Sequence, residues 1–269
     1  MTDARQAAKT VGAGVKKAGA AVGRVFHMVD PDVWKEMACV SMCAYSYLLP
    51  RREQIVDYGA DGFAPVVLVH GLGGNRGAWW PLRLFLKLQG HQRVYGFGYE
   101  KGTVERHAER LSEFIHRVLE VTGEKQVDIV AHSLGGLISR YALQRLGLAD
   151  SVRTLITLAT PHQGTYAARY ANTTLTVPLR PDSDLIKDLN AEGLSRLPVR
   201  LIAVYSDRDV YVVPAQMMTH PDAENIFIPN TAHSQHLVSP EVFRVVASCL
   251  NKVGAEEYPA RPVINSPRA

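Results

Sequence analysis

Short apolar runs alternate with longer segments of helical periodicity between residues 64 and 250. Val66–Val69 is apolar throughout, which is typical of a strand buried on both faces of a sheet. Further strands are predicted at 94–99, 127–131, 152–159, 199–205 and 225–228. Helical spacing of apolar residues covers 103–122, 134–146 and 240–250. This alternation predicts an α/β fold in which helices cover both faces of a mostly parallel sheet.

The beginning of the chain has a different pattern. Residues 8–29 carry apolar side chains at three- and four-residue steps, with lysine and arginine on other faces. One interpretation is an amphipathic helix that lies on an anionic lipid surface. The other is a weakly ordered leader, or a helix packed on the body of the protein, because four glycines lower helix stability.

These patterns divide the chain into four parts. They are a basic amphipathic leader (1–30), a helix with a connector (31–60), the α/β domain (61–254) and a loose tail (255–269). Residues 37–49 lack charge, but this stretch is shorter than the ~20 residues of a membrane span. Lys16 and Lys17 interrupt the apolar run that a secretion signal needs. We therefore expect a protein that is cytoplasmic or peripheral on a lipid surface.

Composition excludes several classes of protein. Apolar residues make up 46% of the 269 residues and charged ones 21%, so the chain can fold around a core. The net charge is +4, of which residues 1–30 hold +3, so the remainder is nearly neutral. A neutral body argues against nucleic-acid binding, which needs a basic surface. Three cysteines exclude a disulfide framework.

The strand predicted at 127–131 leads through Ser133 into the next predicted helix. A serine between a strand and a helix, with small residues two positions away on either side, is typical of a nucleophile elbow. Ala131 and Gly135 are those small residues. The pattern predicts that the Ser133 hydroxyl lies exposed at the carboxyl edge of the sheet.

A serine nucleophile needs a base and a carboxylate that orients the base. Asp207 and Asp209 follow the strand at 199–205, and the Ser-x-x-Asp-x-x-Val pattern favours Asp209. His233 and His236 follow the strand at 225–228, and His233, which is closer to that strand, is favoured. Asp207 would then be a surface or loop-capping residue, and His236 would pack near Leu237 or make a supporting hydrogen bond.

The glycine-rich stretch His70–Gly74 follows the first strand and supplies a candidate oxyanion hole. Backbone amides there can stabilise the negative charge that acyl transfer builds on a carbonyl oxygen. The expected donors are the amides of Leu72 and of Leu134, the residue after Ser133. Phosphate binding is the alternative, but neither glycine-rich phosphate signature is present. No group of residues has metal-ligand spacing, so no metal and no cofactor are expected.

Three motifs together resemble the bacterial triacylglycerol lipase and esterase branch of the α/β-hydrolase superfamily. They are His70–Gly74, Ala131–Gly136 and Thr160–Thr165, and the match extends over roughly residues 64–252. The resemblance implies an α/β-hydrolase fold and carboxylic ester hydrolysis through an acyl-enzyme. It also implies that Ser133, Asp209 and His233 form the catalytic triad. The first sixty residues lie outside the resemblance.

We have two further expectations, for a candidate lid and for a candidate acyl pocket near the predicted site. The segment 165–198 is long enough for a small lid that opens at a lipid surface, or it is a packed loop with one helix. Trp79 and Trp80 line an acyl pocket or belong to the core.

Three functions are open on the sequence. The first is hydrolysis of apolar acyl esters or acylglycerols, with lipid-surface contact through residues 8–29. The second is acyl transfer to an alcohol by the same triad. The third is a non-catalytic lipid-surface protein, against which an intact serine, aspartate and histidine count heavily.

Overall fold

The structure, a computed structural model, describes residues 54–99 and 102–251. The expectations for the leader (1–30), the helix in 31–60 and the tail (255–269) lie outside the described residues, apart from the connector from residue 54 onward. No helix in the described part of the chain is long and apolar enough to cross a membrane.

Six strands form one sheet, and all five pairings between neighbouring strands are parallel. The strands are β1 (Val66–Val69), β2 (Val94–Phe97), β3 (Val127–His132), β4 (Val152–Leu158), β5 (Arg200–Tyr205) and β6 (Glu224–Phe227). Their order in the sheet is β2-β1-β3-β4-β5-β6. Each predicted strand is confirmed, with ends that differ by two residues or fewer.

Within residues 54–99 and 102–251, five α-helices accompany the sheet. They are α1 (Trp80–Leu88), α2 (Val104–Thr122), α3 (Leu134–Arg145), α4 (Asp184–Ala191) and α5 (Pro240–Leu250). Capping residues determine the ends of two of the predicted helices. Thr103 caps the start of α2 with its side chain, and Gly123 ends that helix in the left-handed conformation. Ser239 caps α5, whose first residue is Pro240. The sequence analysis did not predict α1.

Alternate residues of each strand pack on opposite faces of the sheet. Val67 and Val69 of β1 join the core under α2 and α3. Val66 and Leu68 join the core under α1 and α5. Because both faces are covered, the strands are apolar throughout, as the sequence pattern indicated. The fold class predicted from the sequence is confirmed.

The sheet order places a switch point between β1 and β3. From β1 the chain moves outward to β2 and then returns to the other side of β1 to form β3. The loops that follow β1 and β3 therefore diverge, and they leave a crevice at the carboxyl ends of the strands. Ligands of open α/β sheets bind at this kind of position.

The segment 165–198 contains α4 as its one helix. Ile186 and Leu189 of that helix are buried in the core shared with α2 and α3. The preceding residues, 166–182, form two short 3-10 turns, and the side chain of Tyr170 there is almost fully exposed. The later part of the segment is therefore packed, and the earlier part is the more exposed.

Candidate active site

Ser133 lies at the turn between β3 and α3. Its φ is 52° and its ψ is −123°, in a region that residues other than glycine rarely adopt. The Ser133 amide donates to the carbonyl of Leu158 (2.9 Å), and its carbonyl accepts from the Gly136 amide (3.0 Å). The Thr160 hydroxyl also donates to that carbonyl (3.0 Å). The strained turn is thus held by β4, α3 and the loop after β4.

Two glycines let the chain pass close to Ser133. A Cβ at Gly135 would lie 2.5 Å from the carbonyl oxygen of Val69, so any side chain there would separate α3 from the end of β1. A Cβ at Gly71 would lie 2.9 Å from Cβ of Ser133. The small residue expected two positions after Ser133 is therefore required by the packing of α3 against β1.

Asp209 and His233 are in direct contact. Nδ1 of His233 donates to Oδ2 of Asp209 at 2.6 Å, and both side chains are buried. The other carboxylate oxygen, Oδ1, accepts the amides of Tyr211 and Val212, each at 2.8 Å. Asp209 is thus held from both sides, and its bond to Nδ1 leaves Nε2 of His233 as the nitrogen that can accept a proton.

The two alternative residues lie elsewhere. Asp207 is exposed and accepts the amide of Asn230 at 2.8 Å, so it closes the loop that leads to His233. His236 is fully buried, and its Nδ1 donates to the carbonyls of Ala232 (3.1 Å) and His233 (3.2 Å). Both contacts are of the supporting kind expected from the sequence.

Electrostatics keep Asp209 ionised. Burial raises the pKa of its carboxyl group, but the charge and hydrogen bond of His233, together with the Val212 amide, outweigh burial. The net effect is a pKa below the ordinary value for aspartate. The carboxylate is therefore available at neutral pH to orient the imidazole.

Two neutral histidines hold the loop of His233. Nε2 of His132 donates to the carbonyl of His233 (3.1 Å), the same oxygen that His236 contacts. Burial keeps the pKa of His132 well below its usual range, and burial also lowers that of His236 to about 4. Sequence reasoning gave His132 no role, and its position beside Ser133 was the only available signal.

The loop after β1 is fixed by His70 and Tyr99. Nδ1 of His70 donates to the Gly71 carbonyl (2.9 Å), and Nε2 accepts the Tyr99 amide (3.3 Å). The Tyr99 hydroxyl donates to the His70 carbonyl (2.8 Å), and the two rings stack with centroids 4.0 Å apart. The sequence analysis did not single out Tyr99, because its partner is 29 residues away along the chain.

The two expected oxyanion donors belong to the turn at Ser133 and to the loop after β1. Leu134 is the first residue of α3, so its amide is among those that have no partner within the helix. The positive end of the helix dipole adds to its attraction for an anion. Leu72 follows Gly71 on the facing loop, and its side chain is 45% exposed.

The expectation for the tryptophans needs a correction at Trp79. Its side chain is fully buried in the core with Ala78 and Leu82, on the face of the sheet covered by α1 and α5. Trp79 is therefore a core residue without surface for a substrate, because the turn before α1 points it inward. Trp80 is 49% exposed, and its contact with an acyl group stays a prediction.

Within the described ranges, no three histidine, cysteine, aspartate or glutamate side chains lie close enough together to hold a metal ion.

The buried thiol of Cys249 has a pKa raised to about 12, chiefly by burial, which makes it unreactive.

Sequence comparisons agree with this architecture. A family model described as alpha/beta hydrolase fold matches residues 64–179. The chain is 33% identical over 131 residues to a triacylglycerol lipase of Pseudarthrobacter phenanthrenivorans, with 43% of this chain and 40% of that protein covered. A triacylglycerol lipase of Burkholderia plantarii is also 33% identical, with 36% of its length covered. The chain thus spans about two fifths of the length of these relatives.

Solved structures share the fold. The mature form of the Bacillus licheniformis lipase BlEst2 superposes with a TM-score of 0.65 at 18% identity, covering 73% of this chain and 95% of that one. A thermophilic esterase of Thermogutta terrifontis gives a TM-score of 0.53 at 18% identity, with 73% and 92% covered. The sheet order, the family match and the sequence relatives agree: the chain has an α/β-hydrolase fold, and part of it is similar in sequence to triacylglycerol lipases.

Proposed function

We propose that the protein hydrolyses carboxylic esters through an acyl-enzyme formed on Ser133. The observation that carries this proposal is the hydrogen bond of 2.6 Å between His233 and Asp209, in loops that end at the same sheet edge as Ser133. The strained turn at Ser133 supports it, because such strain is typical of a serine nucleophile between a strand and a helix. Ser133 itself is only 9% exposed, so the prediction of an exposed hydroxyl is not met.

The proposed reaction has two halves. Oγ of Ser133 attacks the ester carbonyl while Nε2 of His233 takes the serine proton, and the amides of Leu72 and Leu134 stabilise the oxyanion. The intermediate expels the alcohol, which receives the proton from His233. A water molecule then gives a proton to His233 and attacks the acyl carbon. The bond from that carbon to Oγ of Ser133 breaks, His233 returns the proton to Oγ, and the carboxylic acid leaves. Asp209 keeps Nδ1 of His233 protonated throughout. Nε2 is therefore the nitrogen that accepts the proton and later returns it.

We propose esters with apolar acyl groups, including acylglycerols, as substrates. Leu72, Val210 and Tyr211 have large exposed surfaces beside the site, and the ring of Tyr211 packs edge-on against His233 (5.2 Å between centroids). The two sequence relatives named as triacylglycerol lipases support the same substrate class.

The direct test is labelling by a fluorophosphonate, which traps an activated serine. Wild-type protein should be labelled and Ser133→Ala should not, while p-nitrophenyl esters of increasing chain length measure turnover. Absence of labelling on folded wild-type protein would contradict the proposal. Product analysis with an added alcohol distinguishes hydrolysis from acyl transfer, which uses the same acyl-enzyme.

Paired variants test the two assignments that the sequence left open. Asp209→Ala and His233→Ala should each lower kcat by ~10⁴-fold or more. Asp207→Ala and His236→Ala keep the Asp209–His233 contact and serve as controls for loop disturbance. A larger loss at either control would overturn the assignment.

We further propose that the protein works at a lipid surface, to which residues 8–29 bind. The basic leader carries +3 of the net charge, and it would be attracted to anionic lipids. Deletion of residues 1–30 should leave hydrolysis of short soluble esters intact and weaken sedimentation with phosphatidylglycerol vesicles. Unchanged vesicle binding would refute this surface role.

A further inference from the structure

Thr165 joins two loops beside the site. Its buried hydroxyl donates to the carbonyl of Tyr211 (2.8 Å) and accepts the amide of Val213 (3.1 Å). The next residue, Tyr166, donates its amide to the carbonyl of Val213 (3.1 Å). Three hydrogen bonds therefore bind the loop after β4 to residues 211–213.

The bound segment is the one that holds Asp209. The amides of Tyr211 and Val212 both donate to Oδ1 of that carboxylate. The carbonyl of Tyr211 and the amide of Val212 belong to one peptide unit, which is planar. A hydroxyl that fixes the Tyr211 carbonyl therefore also fixes the direction in which the Val212 amide points.

Thr165 also connects Asp209 to the exposed segment 166–182. The Thr165 amide donates to the carbonyl of Leu179 at 2.7 Å, in the 3-10 turn that precedes α4. The orientation of the Asp209 carboxylate thus depends on Thr165, which lies 44 positions earlier in the chain. Thr165 contacts both the loop that holds Asp209 and the segment 166–182.

We propose that Thr165 is a positioning residue for the reaction, which acts by orienting the amides that hold Asp209. The inference rests on the proposed function, since it assigns Thr165 a role through Asp209. It touches neither the ester nor His233. Its removal should slow the chemical step and leave ester binding nearly unchanged, because a small displacement of a catalytic group is enough to slow catalysis.

Thr165→Val tests this role because it removes the hydroxyl and keeps the side-chain shape. We expect kcat for p-nitrophenyl butyrate to fall ~10–100-fold, with KM within about twofold of wild type. Thr165→Ser keeps the hydroxyl and should restore most of kcat. Thr165→Ala replaces the valine variant if the latter does not fold. Thr122→Val is the control, since its hydroxyl bonds only to the Val118 carbonyl of its own helix at 2.7 Å.

A double-mutant comparison separates positioning from general disturbance. In an Asp209→Ala background, Thr165→Val should cause less than about a twofold further loss of kcat, because its route of action is already absent. A further tenfold loss in that background would overturn the inference. If Asp209→Ala loses activity and Thr165→Val does not, only the inference fails. If Asp209→Ala retains full kcat, the proposed role of Asp209 fails, and the inference with it.

Discussion

Histidine is the residue type on which the candidate site depends most, and its rings there have different tasks. His233 contacts the carboxylate of Asp209. His132 and His236 donate to the carbonyl of His233, and His70 fixes the loop that carries the expected oxyanion donor Leu72. One histidine is thus paired with a carboxylate, and three others act as neutral hydrogen-bond donors to backbone carbonyls.

Because these histidines are buried and neutral, we expect the stability of the protein to depend on pH. Burial lowers the pKa of His70 and of His236 from 6.5 to about 4. Below pH 6.5 the unfolded chain binds protons that the folded protein refuses, so the free energy of unfolding should fall as the pH drops from 6.5 to 4. The loss should be roughly 3 kcal/mol for each histidine.

Urea denaturation at several values of pH between 7.5 and 4.5 measures this slope. His236→Gln keeps a donor near the Ala232 carbonyl but cannot be protonated, so its stability should fall less steeply on acidification. His116→Gln, on the exposed face of α2, gives the baseline for removing a histidine. Equal slopes for wild type and His236→Gln would contradict the prediction.

At the scale of elements, one buried arginine joins α3 to α4. Arg140 is fully buried and donates to the carbonyls of His162 (3.2 Å) and Leu189 (2.7 Å) and to Oδ1 of Asn190 (2.9 Å). Burial lowers its pKa to about 10, which still leaves it charged at neutral pH. No carboxylate of the described residues forms an ion pair with it, so carbonyl and amide oxygens, together with Nδ1 of His162 at 3.4 Å, are its hydrogen-bond partners.

Arg140→Met should therefore destabilise the protein by about 2 to 4 kcal/mol, because it leaves several buried acceptors without donors. The neighbouring variant Arg145→Met is the matched control. Arg145 binds Asp188 of the same helix and Glu192 just after it, but at the surface, where ion pairs contribute up to about 1 kcal/mol. Urea denaturation compares the two variants, and equal losses would show that burial of Arg140 is not what matters.

At the scale of elements, the order of the strands also determines where the candidate site lies. The close pairing of Val69 with Ala131 brings the ends of β1 and β3 together, so Gly71 and Ser133 come into contact. The candidate oxyanion loop and the candidate nucleophile are thus adjacent because of the strand order, although 62 positions separate them in the chain.

At the scale of the whole molecule, the excess positive charge and the candidate site residues lie in different parts of the chain. The leader holds +3 of the net +4, whereas the α/β domain is nearly neutral and carries all the residues of the candidate site. In the function that we propose, the charge of residues 1–30 concerns where the protein binds, and the site residues concern the reaction.

The sequence by itself determined the alternation of strands and helices and the strand–serine–helix turn at Ser133. These features arise from periodicity and from small residues within a few positions of one another, so they can be read without knowing distant contacts. Only the tertiary structure decided which carboxylate meets a histidine. Asp207 and Asp209 lie two residues apart, but Asp207 contacts Asn230, 23 positions away, and Asp209 contacts His233, 24 positions away. The tertiary structure also decided that Trp79 is core and that Thr165 and Arg140 join separate loops and helices. Such contacts depend on packing between distant segments, which local patterns do not encode.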